Sequence, residues 1–233
     1  MSDVKRALIT GAQGALGSVV TKRFLDAGVE VVGVDQTYDA EGVHNHPELG
    51  ASFYHLKMDV TDAQAVGDGV AQIEQERGPI DALVHIAGGF RAAPIHELPD
   101  RDLDFLLQLN LRSSFLLARA VMGRFRTRGF GRMVFVSSMT TLAPNAGSSA
   151  YAASKAGVNA LVRGVADEVK ELDVTVNAVL PSIIDTPANR EAMSSMDFST
   201  WVPREHLAEL IFSFTEPHMA SVNGALIPVA AKT

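Results

Sequence analysis

A glycine-rich turn near the N-terminus constrains the fold of this chain more than any other feature. Residues 4–9 form a short apolar run that stops at the sequence Thr-Gly-Ala-Gln-Gly-Ala-Leu-Gly, residues 10–17. Apolar residues at helical spacing follow, and Gly28 is a helix stop signal. A second apolar run, residues 29–34, ends in Asp35. This order predicts a strand, a tight turn, a helix and a second buried strand.

Such an arrangement is suited to binding a dinucleotide. Glycines in the turn let the backbone approach a pyrophosphate, the helix N-terminus stabilises its charge, and a carboxylate about 20 residues further on binds the ribose diol. Asp35 supplies that carboxylate, and neither the glycine loop nor residues 36–38 contain an arginine. A carboxylate accepts hydrogen bonds from a 2′-hydroxyl and repels a 2′-phosphate. We therefore expect NAD(H) in preference to NADP(H).

Strand-like and helix-like segments alternate along the rest of the chain. Further strand candidates are residues 53–58, 80–86, 133–136, 174–180 and 225–229. Together with the first two they make about seven strands. The alternation predicts a single α/β domain over residues 1–233, a Rossmann-type, doubly wound parallel sheet with helices on both faces.

Residues 39–51 are predicted to be a loop, because glycine and proline interrupt any helical stripe there. His44 and His46 lie in this segment, but no further ligands stand beside them. A metal site is therefore not predicted.

A second stretch carries residues suited to proton transfer. Tyr151 and Lys155 are four residues apart, so on a helix they lie one turn apart on the same face. A nearby ammonium lowers the pKa of a phenol from its ordinary value of about 10, which makes Tyr151 usable as a general acid or base. Ser138 follows a predicted strand, at the edge where open α/β sheets bind ligands. The alternative is an ordinary helix with a Tyr/Lys pair.

Small residues follow another predicted strand. Ala87, Gly88 and Gly89 would permit close approach of a ribose or nicotinamide, and Phe90 comes directly after them. Asp59 follows the strand at residues 53–58. It faces the adenine in one interpretation, and in the other it solvates the loop and caps the next helix.

Two further regions bear on the site. Asn110 stands among leucines in a long amphipathic segment, residues 101–128, where a polar side chain needs a partner. The alternative role is an internally satisfied core amide. Residues 182–203, which include Trp201, are interpreted as a segment that covers the substrate, or else as a surface loop packed by its own aromatics.

Composition narrows the function further. The chain has no cysteine, which excludes disulfides, thiolate metal sites and a cysteine nucleophile. A net charge of -7 without a basic stripe argues against nucleic-acid binding. The N-terminus has no apolar leader pattern, and no apolar stretch reaches membrane-spanning length, so we expect a cytoplasmic protein with no membrane contact.

Taken together, these motifs resemble the short-chain dehydrogenase/reductase family over essentially the whole chain. The resemblance implies that Ser138 orients the substrate oxygen, Tyr151 exchanges the proton and Lys155 binds the nicotinamide ribose and lowers the pKa of the tyrosine. It also implies that Asn110 holds a water of the proton relay. The implied cofactor contacts are Gly11, Gln13, Gly14, Ala15, Leu16, Gly17, Asp35, Asp59, Val60, Ala87, Gly88, Tyr151, Lys155, Pro181, Ile184 and Thr186. A small-molecule carbonyl or alcohol substrate and a homodimer or homotetramer are expected.

Two positions depart from the family pattern. His85-Ile86-Ala87-Gly88 stands where the family commonly has Asn-Asn-Ala-Gly, and Pro181-Ser182 stands where it has Pro-Gly. The hydrogen bonds of the missing asparagines must therefore be replaced, and a structural role is expected for His85.

Within the family, the sequence resembles the dihydropteridine reductases. Gly89 and Phe90, together with residues 185–190 and the region of Trp201, carry this similarity and are tentative substrate contacts beside Ser138. Those reductases lack the catalytic serine, so a carbonyl or alcohol substrate is the first expectation and a quinonoid dihydropterin the alternative. A non-catalytic dinucleotide-binding regulator is the alternative of another class.

Overall fold

The chain folds around a central eight-stranded sheet. The structure is a computed structural model, and it describes residues 3–38, 42–45 and 50–230. The strands are β1 (Arg6–Thr10), β2 (Glu30–Asp35), β3 (Val43–Asn45), β4 (Phe53–Lys57), β5 (Ala82–His85), β6 (Phe130–Val136), β7 (Asp173–Pro181) and β8 (Leu226–Val229). Their spatial order is β3-β4-β2-β1-β5-β6-β7-β8, and every pair is parallel except β3 with β4. The α/β fold predicted from the sequence is confirmed.

Seven helices and short turns connect the strands. They are α1 (Ala15–Asp26), α2 (Ala63–Arg77), α3 (Asp100–Leu106), α4 (Ser113–Arg128), α5 (Ser149–Glu168), α6 (Pro187–Ala192) and α7 (Arg204–Ser213) among the described residues. A π-helical turn, Leu107–Arg112, joins α3 to α4, and 3₁₀ turns lie at Met139–Thr141, Phe198–Thr200 and Pro217–Met219. The amphipathic segment 101–128 is thus one helical rod interrupted by the π turn that contains Asn110.

The helices cover both faces of the sheet. Leu8 and Ile9 are neighbours on β1 and therefore point to opposite faces. Ile9 belongs to a buried cluster with Phe24 of α1, and Leu8 to another with Val121 of α4 and Val158 of α5. The parallel strands are buried on both sides, which explains why they read as continuous apolar runs.

The sequence-based prediction was wrong about one strand. We expected about seven strands and a loop over residues 39–51, whereas Val43–Asn45 forms β3 and pairs antiparallel with β4. Three residues at a sheet edge carry too short a pattern to be recognised as a strand. Residues 39–41 and 46–49, including His46, lie outside the described part of the chain.

The sheet order reverses direction between β1 and β5, and this position sets the site. When the segments that follow two neighbouring strands turn to opposite faces of the sheet, a crevice opens at the carboxyl ends of those strands. Within the described residues, no helix is long and apolar enough to cross a membrane.

Candidate active site

A cleft of about 920 Å³ opens at the carboxyl ends of β1 and β5. It is lined by most of the residues that the sequence predicted: Gly11, Gly14, Ala15, Leu16, Gly17, Asp35, Asp59, Val60, Ala87, Gly88, Gly89, Phe90, Ser138, Tyr151, Lys155, Pro181, Ile184 and Thr186. Three predicted residues, Gln13, Asn110 and Trp201, do not line it. Local motifs that lie far apart in sequence thus converge on one cleft.

The glycine turn packs too closely for side chains. Gly11 has φ +68°, and a Cβ there would stand 2.9 Å from the amide nitrogen of Ala87. A Cβ on Gly17 would stand 1.9 Å from the carbonyl oxygen of Gly11. Helix α1 begins directly after Gly14, and no side chain caps its N-terminus. Its first amide groups therefore face the cleft, where they suit a phosphate group.

Asp35 ends β2 and lies in the cleft wall. One of its oxygens, Oδ1, accepts hydrogen bonds from the amide and the hydroxyl of Thr37, at 3.1 and 2.8 Å. The Thr37 hydroxyl also contacts Gln13, which is exposed and does not line the cleft. These contacts fix the carboxylate and leave Oδ2 outside those two bonds. Asp35 can therefore accept hydrogen bonds from a ribose diol.

Asp59 follows β4 and has the same local geometry. Its Oδ1 accepts from the amide and hydroxyl of Thr61, at 2.8 and 2.7 Å. The side chain therefore stabilises the turn after β4 without capping α2, and it also lines the cleft. Helix α2 is capped by Asp62 instead, which accepts from the amide of Ala65 at 2.8 Å.

The hydroxyl of Ser138 is oriented by its own 3₁₀ turn. Its oxygen accepts hydrogen bonds from the amide and the hydroxyl of Thr140, at 3.2 and 2.9 Å. A serine oxygen has two lone pairs, so the remaining function of Ser138 is to donate its proton. Tyr151 accepts this hydrogen bond, and the bond lowers the pKa of the phenol.

The pKa of Tyr151 nevertheless differs from the sequence-based expectation. Burial raises the pKa of Tyr151 above its ordinary value, and the hydrogen bond from Ser138 offsets this only in part. Lys155 does not contribute to this shift, and its ammonium donates to the carbonyl oxygen of Val136, at 2.8 Å. The phenol is therefore protonated at neutral pH, which is the form that donates to a carbonyl oxygen.

Lys155 is buried beneath Gly88. Burial lowers the pKa of Lys155 to about 8, so the side chain is still largely protonated near neutral pH. A Cβ on Gly88 would stand 3.2 Å from the ammonium and 3.0 Å from Oδ1 of Asn110. Only glycine therefore leaves space for a ligand to approach the ammonium at this point.

Asn110 bridges two parts of the site. Its Oδ1 accepts from the amide of Gly89 at 2.8 Å, and its Nδ2 donates to the carbonyl of Gly89 at 3.0 Å and to the hydroxyl of Ser154 at 2.9 Å. Both amide hydrogens are therefore used within the protein, as the core-amide alternative predicted. Asn110 links the loop after β5 to the helix that carries Tyr151, and the water-holding role stays a prediction.

His85 stands where the family commonly has an asparagine, and it takes part in a chain of hydrogen bonds. The hydroxyl oxygen of Thr10 accepts from the amides of Ile86 and Ala87, at 3.2 and 3.3 Å, so its proton goes to Nδ1 of His85, at 2.7 Å. The other nitrogen, Nε2, must then carry the hydrogen and donate to Ser113, at 2.9 Å. Ser113 donates in turn to the carbonyl of Leu109 in the π turn.

This network requires a neutral imidazole. His85 is 3% exposed. Burial lowers the pKa of His85 to about 3, with a smaller contribution from the Lys155 charge. His85 thus ties the glycine turn to the π turn beside the site, which agrees with the structural role expected from its sequence position.

The two ends of segment 182–203 lie side by side, and its two halves differ in their contacts. Ile184 pairs with Val202, and the amide of Val202 donates to the carbonyl of Ile183 at 2.8 Å. The first part lines the cleft through Ile184, Thr186 and Met193. The second part packs inward, and Trp201 is 3% exposed, with its ring 4.7 Å from Phe198. The structure therefore does not bring Trp201 to the cleft.

Phe90 lies at the substrate end of the cleft. Its ring packs edge-on against Tyr151 with 4.9 Å between the ring centroids. Phe105, Asn145 and Met193 also line the cleft; the sequence carried no signal for Phe105 and Asn145, and it indicated Met193 only as part of segment 182–203. They enter the site through long-range packing, which leaves no local pattern to detect. Thr140 was missed as well, although its spacing from Ser138 in a Ser-x-Thr pattern is a readable turn signal.

A doubly wound sheet with a glycine turn at its crevice and a serine, a tyrosine and a lysine beside it defines a dinucleotide-binding oxidoreductase domain. The sequence profile of the short chain dehydrogenase family matches residues 5–197. The chain belongs to this family of short-chain dehydrogenases and reductases.

Known relatives agree with this assignment. Gluconate 5-dehydrogenase of Gluconobacter oxydans (strain 621H) is 30% identical over 207 residues, which cover 84% of this chain and 78% of that protein. The 3-oxoacyl-(acyl-carrier-protein) reductase of Salmonella typhimurium is 32% identical over 187 residues, which cover 80% of this chain and 76% of that protein.

Solved structures share the fold over nearly the whole chain. A doubly substituted mutant of a Serratia marcescens short-chain dehydrogenase/reductase superimposes with a TM-score of 0.81 and 25% identity, covering 97% of this chain and 95% of that one. ElxO, solved with NADP bound, has a TM-score of 0.89 and 23% identity, covering 98% and 97%.

Members of this family bind a nicotinamide cofactor, and the residues of the cleft fit one. The uncapped start of α1 suits a pyrophosphate, Asp35 suits a ribose diol, and the ammonium of Lys155 beneath Gly88 suits a second ribose.

Proposed function

We propose that the protein transfers hydride between NAD(H) and a small carbonyl or alcohol substrate, with Tyr151 as the general acid or base. The observation that carries this proposal is the hydroxyl of Ser138, whose oxygen is saturated by Thr140 and whose proton is directed to Tyr151. That geometry holds a phenol and a hydroxyl donor together at one oxygen-binding point.

The chain's own residues account for the proton. In the reducing direction the phenol of Tyr151 donates its proton to the substrate oxygen, and Ser138 donates a hydrogen bond to the same oxygen. The phenolate left on Tyr151 lies one helical turn from Lys155, whose positive charge would stabilise it. The bound nicotinamide supplies the hydride. In the oxidising direction the phenolate of Tyr151 accepts the proton of the alcohol, and the hydride passes to the nicotinamide.

Replacing Tyr151 by phenylalanine tests this function. We expect Tyr151→Phe to reduce turnover by about a hundredfold or more while NADH affinity stays near that of the wild type, because only the proton donor is lost. Tyr54→Phe is the matched control, since Tyr54 packs against Arg77 away from the cleft. Lys155→Ala should impair both turnover and NADH binding. Substantial activity in Tyr151→Phe would contradict the proposal.

NAD(H) is the proposed cofactor in preference to NADP(H). Asp35 supports this preference, because its carboxylate would repel a 2′-phosphate at the position where it binds the ribose diol. ElxO, which shares the fold, has NADP bound, so the preference has to be measured on this chain. Titration of the protein with NADH and with NADPH, followed by fluorescence, gives the two dissociation constants. A lower value for NADPH would contradict this proposal.

A second candidate function is NADH-dependent reduction of a quinonoid dihydropterin. The observation that favours it is Phe90, whose ring packs on Tyr151 at the point where a flat substrate would lie. Pterin turnover that survives Ser138→Ala, when carbonyl turnover does not, would support it. A dinucleotide-binding regulator is the remaining alternative, and NADH binding without turnover on carbonyls and pterins would favour it.

Three further expectations belong to this proposal. The cleft-lining part of residues 182–203 is proposed to cover the substrate. A homodimer or homotetramer is proposed through α4 and α5, because Leu103, Leu107 and Phe115 expose apolar surface along the helical rod that contains α4. A monomer by light scattering would refute that assembly. The cytoplasmic location stays a prediction.

A further inference from the structure

The substrate end of the cleft has an unusual distribution of charge. The charged side chains that line the whole cleft are Asp35, Asp59 and Lys155 among the described residues. The two aspartates stand at the end where the adenosine is expected, and the buried ammonium of Lys155 donates to the carbonyl of Val136. Apart from Lys155, the side chains around the proposed substrate carbonyl are neutral.

Two arginines that adjoin this end of the cleft in sequence are paired. The guanidinium of Arg91 lies over the ring of Phe105 at 4.2 Å, and its Nε is 3.8 Å from Asp102. Arg190 makes two hydrogen bonds with Asp185, at 2.6 and 2.7 Å. Neither arginine lines the cleft. A carboxylate or phosphate on the substrate would lose water there, and neither arginine is free to pair with it.

The same end offers apolar and flat surface. The ring of Phe90 is 57% exposed, although one edge rests against Tyr151. Phe105 lies so close to the backbone of Gly89 that a Cβ there would stand 2.5 Å from its ring. A substrate that covers these groups removes apolar surface from water.

We infer that the substrate is an uncharged molecule whose carbonyl is attached to a flat apolar ring, and that Phe90 binds this ring. This inference rests on the proposed function and names the substrate class of the same site. Reduction converts the carbonyl to an alcohol: the π bond breaks, the carbon gains the hydride of NADH and the oxygen gains the proton of Tyr151. NADH is oxidised to NAD⁺ in the same step.

Three aldehydes separate charge from shape. Benzaldehyde is neutral and flat, 4-formylbenzoate adds only a carboxylate, and cyclohexanecarbaldehyde is neutral but not flat. We expect kcat/KM with NADH to be about tenfold or more higher for benzaldehyde than for either of the others, since an aromatic contact and an unpaired charge each shift affinity by about that factor. A higher value for 4-formylbenzoate would overturn the inference.

Two substitutions at one position test the role of Phe90. Phe90→Leu keeps apolar volume but removes the ring, and Phe90→Tyr keeps the ring. We expect Phe90→Leu to remove most of the preference for benzaldehyde over cyclohexanecarbaldehyde, while Phe90→Tyr retains it, with NADH affinity unchanged in both. An unchanged preference in Phe90→Leu would overturn the inference.

A binding arm distinguishes failure of the inference from failure of the proposed function. Calorimetric titration of the three aldehydes into the NADH complex of Tyr151→Phe measures affinity without turnover. Tightest binding of benzaldehyde there, with no reduction by the wild type, would support the substrate class and refute the carbonyl reductase. Carbonyl reduction by the wild type, with no affinity of the variant for benzaldehyde, would support the carbonyl reductase and refute the substrate class.

Discussion

His85 offers a sharp test of the structure, because its network requires an imidazole that stays neutral while buried. Both ring nitrogens are engaged, with Thr10 donating to one and Ser113 accepting from the other. A proton added to Nδ1 would face the hydroxyl of Thr10, whose oxygen already accepts two backbone amides. It would also add a second positive charge near Lys155. We therefore expect His85→Asn to change the pH dependence of stability.

The magnitude follows from the pKa of His85, about 3 in the folded protein against 6.5 for the exposed group. Because the folded pKa is the lower one, the unfolded chain binds the proton first as the pH falls. The contribution of His85 to the free energy of unfolding is fully present above pH 6.5 and is lost progressively down to about pH 3. One unit corresponds to about 1.4 kcal/mol, so the loss reaches about 2 kcal/mol near pH 5 and about 5 kcal/mol near pH 3.

Urea unfolding of wild type and His85→Asn at several pH values between about 8 and 5 measures this effect. Near pH 8 the variant should be less stable by about 1 to 3 kcal/mol, since a buried hydroxyl loses its partner. That difference should shrink by about 2 kcal/mol near pH 5, because only the wild type loses the histidine contribution. His96→Asn, which removes a surface imidazole, is the control. A difference that does not change with pH would refute a neutral, buried His85.

Two further predictions concern the nucleotide end of the cleft. Gly17→Ala should lower the free energy of unfolding by about 3 kcal/mol and weaken NADH binding, because its Cβ would collide with backbone. Gly67→Ala, in α2 with nothing within 4 Å of the added Cβ, should instead stabilise by about 0.5 to 1 kcal/mol in the same urea assay. Asp35→Ser should shift the ratio of the NADPH and NADH dissociation constants toward NADPH by about tenfold, through loss of the charge repulsion. An unchanged ratio would mean that another group sets cofactor choice.

The contacts of Lys155 also bear on the catalytic cycle. Its ammonium donates to the carbonyl of Val136, and burial keeps the pKa of Tyr151 high. A group that accepts a hydrogen bond from Lys155 in the cleft would compete for the same ammonium. The pH dependence of turnover therefore reports on the complex with cofactor, and the protonation state of the free protein does not determine it.

Much of the site could be predicted from the sequence, because it depends on spacing within single elements. Tyr151 and Lys155 share a helix face because four residues make about one turn. The glycine turn and Asp35 lie at the ends of two neighbouring parallel strands, and such strand ends meet at one edge of the sheet. The alternation of strands and helices was likewise enough to predict the doubly wound fold.

Tertiary structure decided the features that depend on partners distant in the chain. The pKa of Tyr151 follows from burial, the neutral state of His85 from Thr10 and Ser113, and the position of Trp201 from packing within its loop. Phe105 and Met193 reach the cleft only through the fold. Sequence spacing determines which groups share an element, whereas desolvation and hydrogen-bond partners are set by the packing of elements against one another. The chemistry of the cleft therefore had to be read from the folded chain.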